Sequence, residues 1–273
     1  MKKLWGTVEW FLKKAGENAL DAWAGQSAFF IVISVFPTLL LVVSLSRAMG
    51  IAESALLNEA MRLLPAAVAE LVFNIFHEAV GRTDLTFASF SAVAALWGIS
   101  RSVYALIKGL NAVYDVRETR HFMAVRIIAF VYTLALFVLI AAALVLLVFW
   151  QSIAIWLVPL FPSFQATAVF ILSFRFLGAA VVFTLFFLLL YKILPNHTAR
   201  GVSLLPGAVF SALGWLVFSR LFSFYIENFS NYASLYGSLT AVVLLMLWLY
   251  FCMYILFLGG EVNVWLKQKY SRQ

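Results

Sequence analysis

Cysteine is almost absent: the 273-residue chain has a single one, Cys252, set in an apolar run. That excludes an intrachain disulfide and any cysteine-built metal cluster. Charge is scarce too, at 11% Asp, Glu, Lys and Arg against roughly 25% in soluble domains. The three histidines, His77, His121 and His197, stand far apart in sequence. There is no HExxH, CxxC, P-loop or GxGxxG and no dense aspartate cluster, so zinc hydrolysis, nucleotide binding and two-metal phosphodiester chemistry lack their usual residues. Gly25-Gln26-Ser27-Ala28 is not a nucleophile elbow, because the closing glycine is missing and the surrounding pattern is helical. Ribonuclease activity is not expected; an intramembrane hydrolase assembled from distant helices is a third-ranked reading. No cofactor and no metal is implied.

What the chain has instead is apolar surface. Hydrophobic residues make up 64% of it, and its mean hydropathy is +0.99. Lipid, rather than one dry core, must accept so many apolar side chains. The net charge of +7 does not indicate nucleic acid, since the basic residues are scattered between apolar runs without an aromatic-basic strip. The beginning of the chain is basic but has no small-residue cleavage site after a short apolar core, so the first hydrophobic segment is expected to stay as an anchor.

The expected fold is all-α and polytopic: one membrane domain over 1–273, with an amphipathic interfacial helix at 1–20 and a six-helix bundle over 22–265. Residues 3–20 gather Leu4, Val8, Phe11, Leu12, Ala15 and Ala19 on one helical face, with lysines mostly elsewhere. Transmembrane helices are expected at 22–46, 85–106, 124–150, 167–191, 202–226 and 239–262, each able to cross about 30 Å of hydrocarbon. The third is the most apolar. The second is diluted by Ser89, Ser91, Gly98 and Ser100, small residues that suggest close packing inside the bundle. Two short amphipathic helices broken near Pro65 are expected within 51–84.

Basic residues supply the orientation. Lys2, Lys3, Lys13 and Lys14 precede the first span; Arg101, Lys108, Arg117, Arg120 and Arg126 surround the second connection. Lys192 and Arg200 lie in the fourth, and Lys267, Lys269 and Arg272 follow the last span. The intervening 151–166 and 227–238 have no Lys or Arg. By the positive-inside rule both termini are cytoplasmic.

Some residues inside the apolar runs ask for an explanation. Pro37 and Pro206 each remove a backbone donor, giving either an architectural kink or an exposed carbonyl at a substrate site. Ser203, Gly207 and Ser211 recur every four residues, a packing face first and a frame for a substrate path second. Arg220 needs a polar partner, a snorkelling route or an aqueous cavity, with Glu227 seven residues on and Glu261 as the candidate partner; Asp21 and Arg101 are placed near opposite helix ends. Tyr225, Asn228, Asn231, Tyr232 and Tyr236 form interface anchors or a polar vestibule, and the tryptophans, Trp23 among them, read first as interface markers.

Taken in order, these landmarks resemble the YihY family of inner-membrane proteins, also called the virulence factor BrkB or ribonuclease BN-like family. The resemblance spans about 15–265. It is carried by Asp21, Ser27-Ala28 and Ser34-Val35-Phe36-Pro37; Arg101, Gly109 and Tyr114-Asp115; Pro195-Asn196; Pro206-Gly207-Ala208; then Tyr232, Tyr236-Gly237-Ser238, Leu247-Trp248-Leu249-Tyr250 and Gly259-Gly260-Glu261-Val262-Asn263. Where many relatives have Gly-Ala-Glu, this chain has Gly259-Gly260-Glu261, which keeps the acid. The resemblance implies a six-helix protein of the bacterial inner membrane. Association of some relatives with lipid or lipopolysaccharide export suggests a transporter or exporter of an amphipathic envelope molecule, with lipid the candidate cargo. The alternative is a non-transport scaffold that organises the envelope. Membrane lipids, a lipid- or lipopolysaccharide-related substrate and a second copy or an envelope protein are the expected partners; nucleic acid is not. The candidate binding residues are Asp21, Pro37, Arg101, Asp115, Asn196, Arg220, Glu227, Glu261 and Asn263.

Overall fold

The fold was obtained as a computed structural model, which describes residues 2–48, 73, 85–121, 123–133, 175–197, 201–229 and 239–270. The described regions are helical apart from short connections. In chain order the helices are α1 (Lys2–Glu17), α2 (Leu20–Ala48), α3 (Leu85–Val113), α4 (Met123–Thr133), α5 (Arg175–Ile193), α6 (Gly201–Phe229) and α7 (Thr240–Tyr270). Three stretches are long and apolar enough to cross a membrane, Ser89–Val113, Gly201–Ile226 and Val242–Tyr270. Shorter apolar helices cover Leu20–Val35, Met123–Thr133 and Ala180–Ile193. The chain is therefore an all-α membrane protein. Each expected span has a described helix at its position, but the third beyond 133 and the fourth before 175 lie outside the described residues. So do the two short helices expected within 51–84, Phe73 apart.

Helix α7 is the hub, packing on α2, α3 and α6 and touching α1; α2 packs chiefly on α3, and α6 lies between α5 and α7. Small residues set these seams. Ser27, Ser34, Ser91, Ser100 and Ser102 are buried, and the Cα of Gly98 is so close to α2 that an added Cβ would lie 2.8 Å from that of Ser34. The Ser102 hydroxyl donates across this seam to the Ser27 carbonyl at 3.1 Å. The expected close packing of the second span is thus present.

The tightest approach is between α6 and α7. A Cβ on Gly207 would fall onto the Gly259 carbonyl and the Asn263 amide; one on Gly259 would meet the Ser211 and Tyr191 hydroxyls and the Gly207 carbonyl. The buried Tyr191 hydroxyl on α5 donates to the Leu256 carbonyl and lies 2.7 Å from the Ser211 Oγ, which donates to the Ile255 carbonyl at 3.1 Å. Gly207 and Ser211 therefore do form a packing face, while Ser203, the third residue of the expected series, is exposed and outside it. Farther along, Trp215 packs between Phe187 and Trp248 with the rings tilted, centroids 5.3 and 6.3 Å away.

The outer face of α6 is apolar and exposed: Leu213, Val217, Leu221 and Phe224 succeed one another at helical spacing. On α1 the predicted apolar face is only partly covered. Ala15 is buried and Phe11 lies 6.2 Å from Trp265, but Trp5, Val8 and Leu12 are 75%, 51% and 69% exposed. Trp23, expected as an interface marker, instead packs against the core, its Cβ facing Gly109. A residue with left-handed backbone, Ala19 (φ 49°), makes the corner between α1 and α2.

Replacing Gly259 by alanine forces a methyl group into backbone and buried hydroxyls, so thermal unfolding in detergent should show a loss of about 1–3 kcal/mol. Gly25→Ala on α2, where an added methyl meets nothing within 4 Å, should leave stability unchanged or raise it by up to about 1 kcal/mol.

Candidate functional site

The chain reversals bring one end of every described helix hairpin to the same side: the α1–α2 corner, the α3–α4 connection, the α5–α6 link and the last turns of α7. This end carries Lys13, Lys14, Lys108, Arg117, Arg120, Lys192, Lys267 and Lys269 and is called the basic end below.

Asn263, on α7, joins three elements. Pro206 interrupts the regular ladder of α6, and the next amide, Gly207 N–H, donates to Asn263 Oδ1 at 2.7 Å. The Nδ2 of Asn263 donates to the Tyr114 hydroxyl at 3.1 Å. Tyr114 directly follows α3 and meets the ring of His197, centroids 4.5 Å apart, edge to face. Burial pushes the Tyr114 phenol above its ordinary range and holds the His197 imidazole below its ordinary value, the latter reinforced by nearby Lys267.

Helix α3 closes with Asp115 in the left-handed region (φ 50°), while Val116 N–H returns to the Asn111 carbonyl at 2.9 Å and Asp115 N–H to the Ala112 carbonyl at 3.1 Å. This is a Schellman-type C-cap, with aspartate where glycine is commonest. Asn111 Oδ1 accepts from Asn196 N–H at 2.8 Å, and its Nδ2 donates to Glu118 at 2.7 Å. Arg120 grips Glu118 through two nitrogens at 2.7 and 2.8 Å and donates to the Leu194 carbonyl at 3.1 Å. Asn196 in turn donates to the Thr119 hydroxyl at 2.7 Å. The α3–α4 connection and the α5–α6 link are thereby sewn together.

Between these groups opens a cavity of about 460 Å³, lined by Tyr114, Asp115, His197, Ser203, Asn263 and Lys267 with Val116, Leu204 and Val264 as apolar wall. It combines a cation, a carboxylate and neutral hydrogen-bonding groups over an apolar floor, a chemistry suited to an amphipathic ligand's polar part. Beside it Glu261 is fully buried, its Oε1 accepting from Asn18 Nδ2 at the α1–α2 corner.

Of the nine sequence candidates, Asp115, Asn196, Glu261 and Asn263 meet at this end. Asp21 is nearby, exposed in the first turn of α2. Pro37 sits inside an unbroken α2, far along from the cluster. Arg101 is not at a helix end: α3 runs on to Val113, so it lies within the span, with its guanidinium 5.1 Å from the Phe30 ring centroid. Arg220 and Glu261 are not partners. The antiparallel packing of α6 on α7 puts Gly207 level with Gly259, and Arg220 lies 13 residues farther, roughly 20 Å along the axis. Arg220 is exposed among Val217, Leu221 and Phe224, which fits snorkelling. The Glu227 side chain and the segment 230–238 lie outside the described residues; Tyr225 is exposed and Asn228 donates to the Phe224 carbonyl of its own helix at 2.8 Å. Sequence reasoning missed Asn18, Asn111, Glu118, Arg120, His197 and Lys267: Arg120 and Lys267 had counted only as charges and His197 as an isolated histidine, and no local signal marks Asn18, Asn111 or Glu118. Among the described residues no three His, Cys, Asp or Glu side chains form a metal-holding group.

The virulence factor BrkB family matches residues 11–273. The chain belongs to that family. It is 33% identical over 250 residues to a ribonuclease-like protein, YfkH, of Bacillus subtilis (strain 168), covering 90% of both chains. It is 26% identical over 279 residues to a UPF0761 membrane protein of Vibrio campbellii (97% of this chain, 84% of that one) and 23% identical over 283 residues to one of Vibrio vulnificus (strain YJ016), at 96% and 82% coverage. No solved structure matches it. This BrkB-family chain is thus a multi-pass membrane protein, and four of the motifs that carried the resemblance, Tyr114-Asp115, Pro195-Asn196, Pro206-Gly207 and Glu261 to Asn263, are gathered at the basic end.

Asn263→Ala removes the acceptor that Gly207 N–H donates to and the donor to Tyr114; it should cost about 1–3 kcal/mol in thermal unfolding, with Asn263→Asp intermediate. The Arg120 guanidinium holds the Glu118 carboxyl below its usual range. A depressed carboxyl contributes stability that is complete above the unfolded-state value and is lost as pH falls through the folded one. The loss of stability on acidification below about pH 4.5 should therefore be shallower in Glu118→Gln than in the natural chain, as read from unfolding midpoints across pH.

Proposed function

We propose that the chain is a six-span inner-membrane transporter or exporter of an amphipathic envelope molecule, with a lipid as cargo and both termini in the cytoplasm. The observation that carries this reading is the cavity at the basic end, where Lys267, Asp115, Ser203 and Asn263 stand over Leu204, Val116 and Val264. A polar head group can meet the charged and amide side chains while its apolar part leaves toward the exposed outer faces of the helices. The half-covered α1 fits an interfacial helix, with Trp5, Val8 and Leu12 turned to the acyl boundary. Retained lysines and arginines at one end favour the cytoplasmic side for it.

The competing role, a scaffold for envelope organisation, draws on the tightly seated α6–α7 crossing; a bundle closed throughout would favour it, and the cavity argues the other way. On the transport reading a lipid- or lipopolysaccharide-related molecule is the substrate, and a second copy or an envelope protein an additional partner.

Protein reconstituted into liposomes should move head-group-labelled lipids between leaflets faster than protein-free vesicles do. Lys267→Gln, at an exposed position, should slow that movement severalfold while leaving the unfolding midpoint in place. No movement across a broad lipid and small-solute panel, with protein shown to be folded, would overturn the transport reading and leave the scaffold.

A further inference from the structure

Glu261 is the most anomalous side chain described. It lies within the apolar span Val242–Tyr270 and is 0% exposed. One carboxyl oxygen accepts from Asn18, and among the described residues nothing donates to the other. An ionised carboxylate removed from water and held by a single amide costs several kcal/mol, so the group must either carry a proton or gain a cation.

The charged and titratable groups around it are few. From α1 come Lys14 and Glu17; from the end of α3 comes Tyr114, with Asp115 beyond; from α2 there is Asp21, exposed in its first turn. Helix α6 presents Gly207, which has nothing to titrate, and Lys267 lies six residues on along α7, at the cavity. Lys14 stands out. It is four residues before Asn18 and so one turn back along the same face of α1. Its ammonium now binds Glu17 at 2.7 Å, while Lys13 lies 3.8 Å from the other oxygen of that carboxylate. The Lys14 ammonium is held above its ordinary value first by the bond to Glu17, with Glu261 and Asp115 adding to the same field. Glu17 holds the Lys14 ammonium directly, and Glu261 acts on it through the field.

We propose that Glu261 is a proton-binding site reached from the basic end, and that Lys14 is the counter-ion it shares with Glu17. In the loaded state Glu261 is a neutral carboxylic acid and Lys14 pairs with Glu17, the arrangement described here. On unloading, the O–H bond of Glu261 breaks, the proton passes to water at the basic end, and the carboxylate draws the Lys14 ammonium away from Glu17, which keeps Lys13 and solvent. Only a proton and a salt-bridge partner change places. The exchange displaces α1, which touches α2 and α7 and turns at the left-handed Ala19. The site requires nothing of the cargo and stands or falls apart from the transport reading.

Infrared difference spectra of the full chain in lipid nanodiscs, recorded across pH, test it. A carboxylic-acid carbonyl band that disappears as pH rises and is missing from Glu261→Gln is expected. A nearby cation favours the ionised form, so Lys14→Gln should move the midpoint of that band upward by about one pH unit or more. Glu17→Gln, which removes a negative charge and releases Lys14, should move it downward. Absence of any Glu261-dependent band, midpoints indifferent to both substitutions, or loss of the band on adding sodium at fixed pH would overturn the proposal. Should Glu261→Gln fail to fold, the opposite displacements in Lys14→Gln and Glu17→Gln, both outside the spans, decide the matter alone.

Discussion

The approach of α6 to α7 at Gly207 and Gly259 sets the geometry from which the rest of the basic end follows. With no side chain on either residue, the Gly259 carbonyl lies against the Gly207 backbone, close enough that Asn263, one turn on, reaches the Gly207 amide. That amide follows Pro206, which has no N–H to give the helical ladder, so α7 is bonded to α6 at the turn the proline already perturbs. Asn263 has a second hand, and it holds Tyr114. Tyr114 in turn fixes His197 by ring contact, and both become walls of the cavity. Widening the crossing by one methyl group would withdraw Asn263 from Gly207 and loosen each later member of the chain.

Between helices in lipid there is no hydrophobic drive to association, which leaves packing and hydrogen bonds to hold the bundle. Several hydroxyls within the described helices do not serve the second purpose. Ser34, Ser44, Thr133 and Thr184 return their protons to carbonyls of their own helices, at 2.7–2.8 Å. Others reach across, Ser102 to α2 and Tyr191 and Ser211 to α7. At roughly 0.6 kcal/mol for an average interhelical bond, these are minor beside the close packing that the glycine and serine seams permit. The hydrogen bonds fix which atoms face which; the small residues provide the adhesion. At the basic end the balance reverses, because Glu118, Arg120, Asn111 and Asn196 join connections that have little apolar surface to bury.

Hydropathy was enough to locate the three long apolar helices that are described, since a span announces itself through the solvent it needs. The serine-rich α3 and the Gly207–Ser211 face were legible for a related reason: small residues at helical spacing have few uses other than close approach. The partners of the polar residues were not legible. Asn111 and Asn196 are 85 positions apart, and nothing local marks either as the other's acceptor or donor. Arg101 was misplaced because its charge was counted with the connection that follows, whereas α3 continues for another twelve residues, and the guanidinium lies over the rings of Phe30 and Trp97. His197 looked isolated in sequence; only the turn after Pro195 delivers it to Tyr114.

Arg220 and Glu261 show why charge within an apolar run does not by itself define a site. Arginine has a long apolar stem and can keep its guanidinium in polar surroundings while its backbone stays in hydrocarbon, and Arg220 is exposed nine residues before the end of α6, about 13 Å. Such a residue imposes little on the fold. Glutamate has a short stem, and Glu261 is closed in by α1, α3 and α7 itself, between Gly260 against Val113 and the Asn263 bridge. Glutamine would offer an amide proton as well as an acceptor and would relieve the carboxylate's desolvation, so packing alone gives no reason for an acid there. What the acid adds is the ability to change charge, and its position at the joint between α1 and the hub helix is where a change of charge would be felt mechanically.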